Sequence, residues 1–251
     1  VSSMKIKGKS CSSGKKNKHS IIIKAASKGS FLYELIFGCY NFAFCSIFSV
    51  LSCAMQLPEH ISIDFLQDWN NDQLELSQEA LQRIAINRNY LDTILQQGKT
   101  FYGINTGFGS LCNVRINDDE LSQLQENLVC SHACGMGDEV PQEIVRWMLL
   151  LKIHALSKGY SGVRKEIVDR LIVFYNNGIT PVVYELGSLG ASGDLAPLAH
   201  LSLPLLGKGE VYFQGEKMPA VEALSRLGLQ PMSLAAKEGL ALLNGTQSMS
   251  S

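Results

Sequence analysis

The chain has 251 residues, 46% of them hydrophobic and 18% charged, so it has enough apolar residues for a packed core and too little charge for a disordered polyelectrolyte. Its seven cysteines, an odd number, argue against a fully paired disulfide scaffold. The net charge of −1 hides an uneven distribution, because residues 1–30 carry eight Lys and no acid whereas residues 31–251 carry 14 Lys and Arg against 23 acids, and the two parts need separate interpretations.

Residues 1–54 form the first part, a basic segment rich in Ser and Gly followed by an apolar run from Phe31 to Met55. This layout is typical of a signal peptide or a signal anchor, although Glu34 and Asn41 interrupt the run. Three origins stay open: translation of upstream sequence, which we favour, a genuine signal or anchor, and a structured extension. We assign no function to this part and expect residues 55–251 to form the functional body.

From Leu74 onward, apolar residues recur with a helical period, and Gly, Pro and capping residues mark where helices begin and end. The first predicted helix ends at Gly98, and the second opens at Asn117 with Glu120 as its reciprocal acid. The third begins at Pro141 and ends at Gly159. Further helices are predicted over 163–175, 219–227 and 233–243. The apolar positions that define the first three helical faces are Leu81, Ile84, Ala85, Leu91, Ile94, Leu95, Leu121, Leu124, Leu128, Ile144, Val145, Met148, Leu149, Ile153 and Leu156.

Strand signals in the body are few. Only Val182–Tyr184 and Glu210–Gln214 have a strand pattern, and the turns at Gly209 and Gly215 suggest a small hairpin. Strands and helices do not alternate, which argues against a doubly wound sheet. The body is therefore predicted to be mainly α with a small strand content.

The first of three Gly-rich loops, Phe101–Gly109, matches neither a dinucleotide fingerprint nor a P-loop, because no strand precedes it and no Gly-Lys-Ser/Thr follows. By itself it indicates a flexible turn. Loops on rigid helices also present functional side chains, and Tyr102 is the residue here with acid–base chemistry, provided that its surroundings lower its high intrinsic pKa.

The second motif, Cys130-Ser131-His132-Ala133-Cys134, suggests zinc at first sight. On a helix, however, Cys130 and Cys134 share a face from which His132 points away, and no fourth ligand has a usual spacing. We therefore expect small buried thiols that stay reduced, Cys112 among them. His132 is either a helix-terminal histidine or a polar contact in a cleft, whereas His154 and His200 are expected to be structural.

The third loop, Gly187–Pro197, contains Ala191-Ser192-Gly193, a triplet too common to indicate a function by itself. A tight bend could bring the Gly193 nitrogen against the Ala191 carbonyl carbon, an approach that a Cβ atom at Gly193 would block. Loss of water from the closed ring and from the Ser192 hydroxyl would leave an exocyclic methylidene, a carbon electrophile that ordinary side chains do not supply. Flanking glycines would tolerate the strain of closure.

Taken together, these loops resemble the histidine and aromatic amino-acid ammonia-lyase family over residues 60–247. The motifs that carry the resemblance are YGINTGFG (102–109), LQENLVCSHACG (124–135), GSLGASGDLAPLAH (187–200) and EGLALLNGTQ (238–247). The resemblance implies the N-terminal portion of the L-aspartase/fumarase-like helical lyase fold. It also implies that Ala191, Ser192 and Gly193 form methylidene-imidazolone (MIO) autocatalytically, that Asp194 assists closure, that Tyr102 removes the β-proton and that Asn244 contacts the prosthetic group and substrate.

The implied reaction is the elimination of ammonia from a small amino acid to give an α,β-unsaturated acid. Ser131-His132 resembles the histidine-specific branch, in which this pair lies beside the substrate ring, so we favour L-histidine to urocanate in histidine catabolism. A tyrosine or phenylalanine lyase is the alternative. The family further implies a cytoplasmic homotetramer; the residues predict no metal, nucleotide or nucleic-acid partner, and no membrane association of residues 55–251.

Family members continue well past LLNGTQ, and Ser248 stands where they usually carry an aromatic residue. The resemblance implies that the tetramer-forming helical core and further site residues are absent from this sequence. We therefore expect this chain alone to be inactive, as a fragment of a larger lyase. A truncated, non-catalytic or membrane-tethered relative is the competing hypothesis.

Overall fold

The structure of the chain is a computed structural model. Its helices are formed by amphipathic segments that Ser, Pro and Gly residues bound. The structure describes residues 54–69, 73–107, 116–117, 120–188 and 194–251. The helices and strands, in chain order, are β1 (Met55–Gln56), α1 (Ile63–Gln67), β2 (Leu74–Glu75), α2 (Gln78–Gln96), α3 (Leu121–His132), β3 (Met136–Glu139), α4 (Gln142–Ser157), α5 (Lys165–Asn176), β4 (Thr180–Pro181), β5 (Tyr184–Leu186), α6 (Leu195–Ser202), a 3₁₀ helix (Leu203–Leu206), β6 (Glu210–Phe213), β7 (Glu216–Pro219), α7 (Ala220–Arg226), α8 (Glu238–Leu243) and α9 (Gln247–Ser250).

Helix α4 lies at the centre of the core, in contact with α2, α5 and α9. The apolar face that its spacing predicts is buried except at Ile144, which is 37% exposed, and the facing side of α5 is buried as well. The buried residues of these two faces are Val145, Met148, Leu149, Ile153, Leu156, Ile167, Leu171 and Phe174. The described part of the chain confirms a mainly helical fold.

The predicted helix ends agree with the structure for α2, α4, α5 and α7 but differ for α3 and α8. Ser77 caps α2 through its hydroxyl, and the chain leaves α2 at Gly98 with a φ of +69°. Helix α3 begins only at Leu121, because Asn117 contributes its backbone carbonyl to Glu120 N rather than a side-chain cap. The predicted helix over 233–243 shortens to α8, since the left-handed backbone of Lys237 (φ +72°) precedes it.

The strands form three small sheets with the orders β1-β2, β3-β5 and β4-β6-β7. The predicted hairpin is confirmed as β6-β7, whose turn residues Gln214 and Gly215 both have positive φ, the backbone that a two-residue hairpin turn requires. The predicted strand 182–184 is displaced to β4 and β5 on either side. Strand β3, with the sequence MGDE, has no strand-like alternation and is fixed by its pairing with β5.

Gly159 sets how closely the end of α4 approaches α2. Its φ is +76°, and a Cβ atom there would lie 2.6 Å from Arg83 Cβ and 2.7 Å from the Arg83 carbonyl carbon. We expect Gly159→Ala to lower the free energy of unfolding through about 1–2 kcal/mol of left-handed strain and about 1–3 kcal/mol of overpacking, measured by urea denaturation. Gly178→Ala is the matched control, since Gly178 has a φ of +66° and nothing within 4 Å of the added Cβ. Equal losses in the two variants would contradict a role for the contact with Arg83.

All described residues belong to one compact unit that spans residues 52–251. Within their ranges, no helix is both long and apolar enough to cross a membrane.

Candidate active site

Three helix ends converge in the part of the fold that carries the loop motifs. Helix α3 packs against α6 and α8, and α6 packs against α8. The Asp194 amide, at the start of α6, points to the Gly245 carbonyl just after α8 at 3.4 Å. A Cβ atom on Gly187 would lie 3.1 Å from Gly135 Cα, just beyond α3. The segments that follow α3 and α8 therefore meet the segment that enters α6.

Asp194 is the fully buried carboxylate at this junction. One of its oxygens accepts a hydrogen bond from Ser188 Oγ at 2.9 Å, and the other accepts from the backbone amides of Ser248 at 2.6 Å and Met249 at 3.0 Å. A buried carboxylate requires such donors, because an unpaired one would be strongly destabilising. Asp194 thereby joins the loop before α6 to the turn after Asn244.

Ala191, Ser192 and Gly193 lie outside the described residues, but the frame around them is described. Ser188 and Asp194 flank the segment 189–193 and are hydrogen-bonded to each other. Their bond brings together the two described residues on either side of the segment that contains the triplet. The small residues of the triplet and this closed frame fit an MIO group.

Asn244 stands at the C-terminal end of α8. Its amide donates to the Leu240 carbonyl at 3.0 Å, while its side chain is exposed. The backbone leaves the helix here with φ −84° and ψ 125°. The helix end therefore presents the Asn244 side-chain amide rather than burying it, as the motif predicts.

Lys152 is a residue of this region that the sequence interpretation missed. It is 2% exposed within α4, and its Nζ donates to the carbonyls of Ala241 at 2.8 Å and Asn244 at 3.0 Å. Burial lowers the pKa of Lys152 to about 7. The signal was present in the sequence: Lys152 lies four residues after Met148 and four before Leu156, on the face of α4 that is otherwise apolar.

His132 is the last residue of α3 and is half-buried. Its Nδ1 lies 2.8 Å from the Leu128 carbonyl, and because a carbonyl only accepts, Nδ1 carries the proton in this contact. His132 is thus a helix-terminal histidine, and its role as a polar contact in a cleft stays a prediction.

The cysteines of the second motif differ from expectation. Helix α3 ends before Cys134, so Cys130 and Cys134 do not share a helical face, and they are half-buried and exposed respectively rather than buried. Both are free thiols. No group of three His, Cys, Asp or Glu suited to a metal ion occurs within the described ranges.

His154 and His200 have structural contacts, as expected. His154 Nε2 lies 3.2 Å from the Glu59 carbonyl, and His200 Nε2 accepts the Gly135 amide at 3.0 Å while its ring packs edge-on against Tyr184. Burial lowers the pKa of His200, which favours the neutral ring that this acceptor role requires. His200 therefore fixes the backbone three residues after His132.

Tyr102 lies in a hydrogen-bonded turn rather than the flexible one expected from its glycines. The buried Asn105 side chain accepts from Phe101 N at 2.7 Å and donates to the Lys99 carbonyl at 2.8 Å, and Gly103 N donates to Thr106 Oγ1 at 3.2 Å. This turn presents Tyr102 with 63% of its surface exposed. The described hydrogen bonds unite Asp194 with the turn after Asn244, whereas the Tyr102 turn is held by bonds within residues 99–106 and by the Ile116 amide, which donates to the Asn105 carbonyl at 3.0 Å.

Comparisons with known proteins agree with the motifs. The family model for aromatic amino acid lyases matches residues 62–251. The chain is 51% identical over 181 residues to a histidine ammonia-lyase of Geobacillus thermodenitrificans, covering 72% of this chain and 36% of that protein, and 51% identical over 178 residues to one of Bacillus subtilis, covering 71% and 35%.

Solved structures of related enzymes share the fold. A histidine ammonia-lyase from Trypanosoma cruzi superposes with a TM-score of 0.64 at 41% identity, over 70% of this chain and 34% of that one. A phenylalanine aminomutase of Pantoea agglomerans gives a TM-score of 0.70 at 32% identity, over 78% and 38%. The chain thus spans about a third of the length of the relatives it matches.

Proposed function

The chain belongs to the aromatic amino acid lyase family, and we propose that it serves the elimination of ammonia from L-histidine to give urocanate. The observation that carries this proposal is the buried Asp194 carboxylate. It ties the two flanks of the Ala191-Ser192-Gly193 segment to each other and to the turn that presents Asn244. The residues that flank the proposed catalytic loop are thereby held next to the turn that presents the Asn244 side chain.

The triplet would hold the prosthetic group, MIO. Ring closure between the Gly193 nitrogen and the Ala191 carbonyl carbon releases one water, and loss of the Ser192 hydroxyl with its α-proton releases a second. The finished group would supply an electrophilic carbon for the amine of a substrate. Asp194 would assist closure by fixing the end of the loop, because its carboxylate is immobilised by three donors.

The remaining roles belong to side chains of the surrounding segments. Tyr102 would remove the β-proton of the substrate as a general base, a role that requires a phenolate stabilised near neutral pH. Asn244, exposed at the end of α8, would bind the substrate and the prosthetic group through its amide. His132 would contact the substrate ring through Nε2, because its Nδ1 is committed to Leu128.

The choice of L-histidine rests on Ser131-His132. A polar group in the pocket rejects substrates that offer it no partner, and the imidazole of L-histidine offers both a donor and an acceptor. The two bacterial histidine ammonia-lyases cited above are 51% identical to this chain and the Trypanosoma cruzi enzyme is 41% identical, whereas the phenylalanine aminomutase is 32% identical. L-tyrosine and L-phenylalanine are the alternative substrates.

We also propose a cytoplasmic homotetramer for the complete protein. Tyr102 is largely exposed on this chain, although a general base works best in a site that excludes water. A site completed by further protein surface would supply that cover. The free thiols of Cys130 and Cys134 suit a reducing compartment.

Peptide mass tests the prosthetic group directly on this chain. A peptide that contains residues 191–193 should be lighter by two water molecules than its sequence requires. We expect Ser192→Ala to abolish the loss from the side chain, because no hydroxyl remains to leave, whereas Ser225→Ala, at an exposed position of α7, should leave the mass deficit intact. An unmodified mass in the wild-type chain would overturn the proposed chemistry.

Substrate and reaction are tested in a chimera, in which the 178 residues of this chain that match the B. subtilis enzyme replace the corresponding segment there. This supplies the two thirds of the relative that the chain does not span. The chimera should release ammonia from L-histidine faster than from L-tyrosine or L-phenylalanine. Preference for an aromatic substrate would favour the alternative, and no release from any of the three would overturn the function.

A further inference from the structure

Lys152 is an ionisable side chain in an environment that should exclude it. It is among the largest fully buried side chains of the core, surrounded on α4 by Met148, Leu149 and Leu156. Among the described residues, no carboxylate lies within ion-pair distance of it. Burial of an ammonium ion without a counter-ion is destabilising. A methionine would fill the same space without this cost, so packing alone does not explain a lysine at this position.

The partners of Lys152 are all backbone carbonyls at one place. Nζ donates to Ala241 O and to Asn244 O, within the last turn of α8 and its C-cap. The final carbonyls of a helix lack intrahelical donors and carry the negative end of the helix dipole. An N–H donor there stabilises the turn, more strongly while Lys152 is protonated, and the low-dielectric surroundings strengthen the interaction.

This turn needs an external support, because α8 has only six residues. So short a helix is not stable in isolation. Its N-terminal end is held by Glu238 and by Gln125, whose Oε1 accepts from Gly239 N at 2.9 Å. At the C-terminal end of α8, Lys152 Nζ donates a hydrogen bond to the carbonyl of Asn244. The backbone of Asn244, whose side-chain amide is exposed, is therefore held by a residue of α4.

We infer that Lys152 is a positioning residue, which sets the direction of the Asn244 side chain by holding the Asn244 carbonyl. The inference rests on the proposed function for its catalytic meaning. Lys152 does not touch the reacting atoms, and it acts only through the turn 241–244. A charge buried in α4 is thereby connected to the amide that binds the substrate.

Backbone hydrogen exchange of the full chain tests this inference. The peptide that covers residues 240–251 contains protected amides of Asn244, Ser248, Met249 and Ser250. In Lys152→Met, exchange of this peptide should accelerate about tenfold or more, the factor expected on losing a charge-assisted hydrogen bond. A peptide from α5 serves as the reference for global opening and should exchange as in the wild type.

Val145→Ala is the matched control, because it removes buried side-chain volume from α4 about two turns earlier, away from the carbonyls of α8. In this variant, the hydrogen-exchange rate of the 240–251 peptide should stay within about twofold of the wild-type rate, once exchange through global unfolding is subtracted. Equal acceleration in Lys152→Met and Val145→Ala, or none in either, would overturn the inference and leave Lys152 a packing residue.

A conservative variant keeps the test decisive if Lys152→Met does not fold. Lys152→Arg retains the positive charge and the N–H donors, and with a melting temperature near that of the wild type it should preserve the protection of residues 240–251. Loss of protection in this folded variant would overturn the inference. The same digest reports the mass of the 191–193 peptide, so failure of the proposed prosthetic group is read separately from failure of the positioning role.

Discussion

Glu238→Ala should remove a large part of the stability of this fold, about 3–5 kcal/mol of the free energy of unfolding, as expected when one partner of a buried ion pair is lost. The Glu238 carboxylate is fully buried and accepts from Arg164 Nε at 2.9 Å and Arg164 Nη2 at 2.7 Å. It also accepts the backbone amides of Arg164 at 2.8 Å and Ala235 at 2.6 Å. Truncation would remove the acceptor of all four donors, of which Arg164 Nη2 keeps a second one, the Ser233 carbonyl at 2.7 Å.

The loss of stability should originate at the start of α8, where these hydrogen bonds are removed. Arg164 stays charged in the variant because the intrinsic pKa of a guanidinium is far above neutral, and it loses the carboxylate whose hydrogen bond raises its pKa further in the wild type. Urea denaturation followed by far-UV circular dichroism measures the loss. Glu222→Ala is the control, because Glu222 forms an exposed i,i+4 pair with Arg226 and should change stability by less than about 1 kcal/mol. A comparable loss in the two variants would show that burial of Glu238 contributes nothing.

The sequence predicts those parts of the fold whose determinants are local. The ends of α2 and α4 follow from Gly98, Pro141 and Gly159, and the β6-β7 hairpin follows from its turn glycine, since backbone preference alone decides these positions. Strand β3 could not be predicted from MGDE, because its formation depends on pairing with β5, 45 or more residues later.

The same distinction between local and long-range determinants applies to the site residues. His132, Asp194 and Asn244 were found from motifs because each lies at a helix end with characteristic neighbours. Lys152 belongs to no motif, and its partners are carbonyls about 90 residues away in sequence. The helical spacing of α4 did indicate that Lys152 is unusual. A lysine on the apolar face between Met148 and Leu156 predicts a hydrogen-bond partner elsewhere in the core.

Tyr102→Phe should lower the rate of ammonia release by the chimera about 10²–10⁴-fold, the usual contribution of a positioned general base. The hydroxyl is the only group removed, and the turn is shaped by Asn105 and Thr106, so the fold should be unchanged. The 191–193 peptide should keep its deficit of two water molecules, because Tyr102 is not required for closure in the proposed scheme. Loss of activity with an intact prosthetic group would place the defect in proton removal.

Kinetic parameters distinguish a general base from a binding residue at this position. A base acts in the transition state, so kcat should fall with little change in KM, whereas loss of uniform substrate binding would raise KM at constant kcat. Tyr160→Phe removes the same atom from a side chain that is 82% exposed on the segment between α4 and α5, and it should leave both constants unchanged. If Tyr102→Phe retained kcat within about threefold, well below the contribution of general-base catalysis, Tyr102 would not be the base. The proton would then have to leave through another side chain of the complete site.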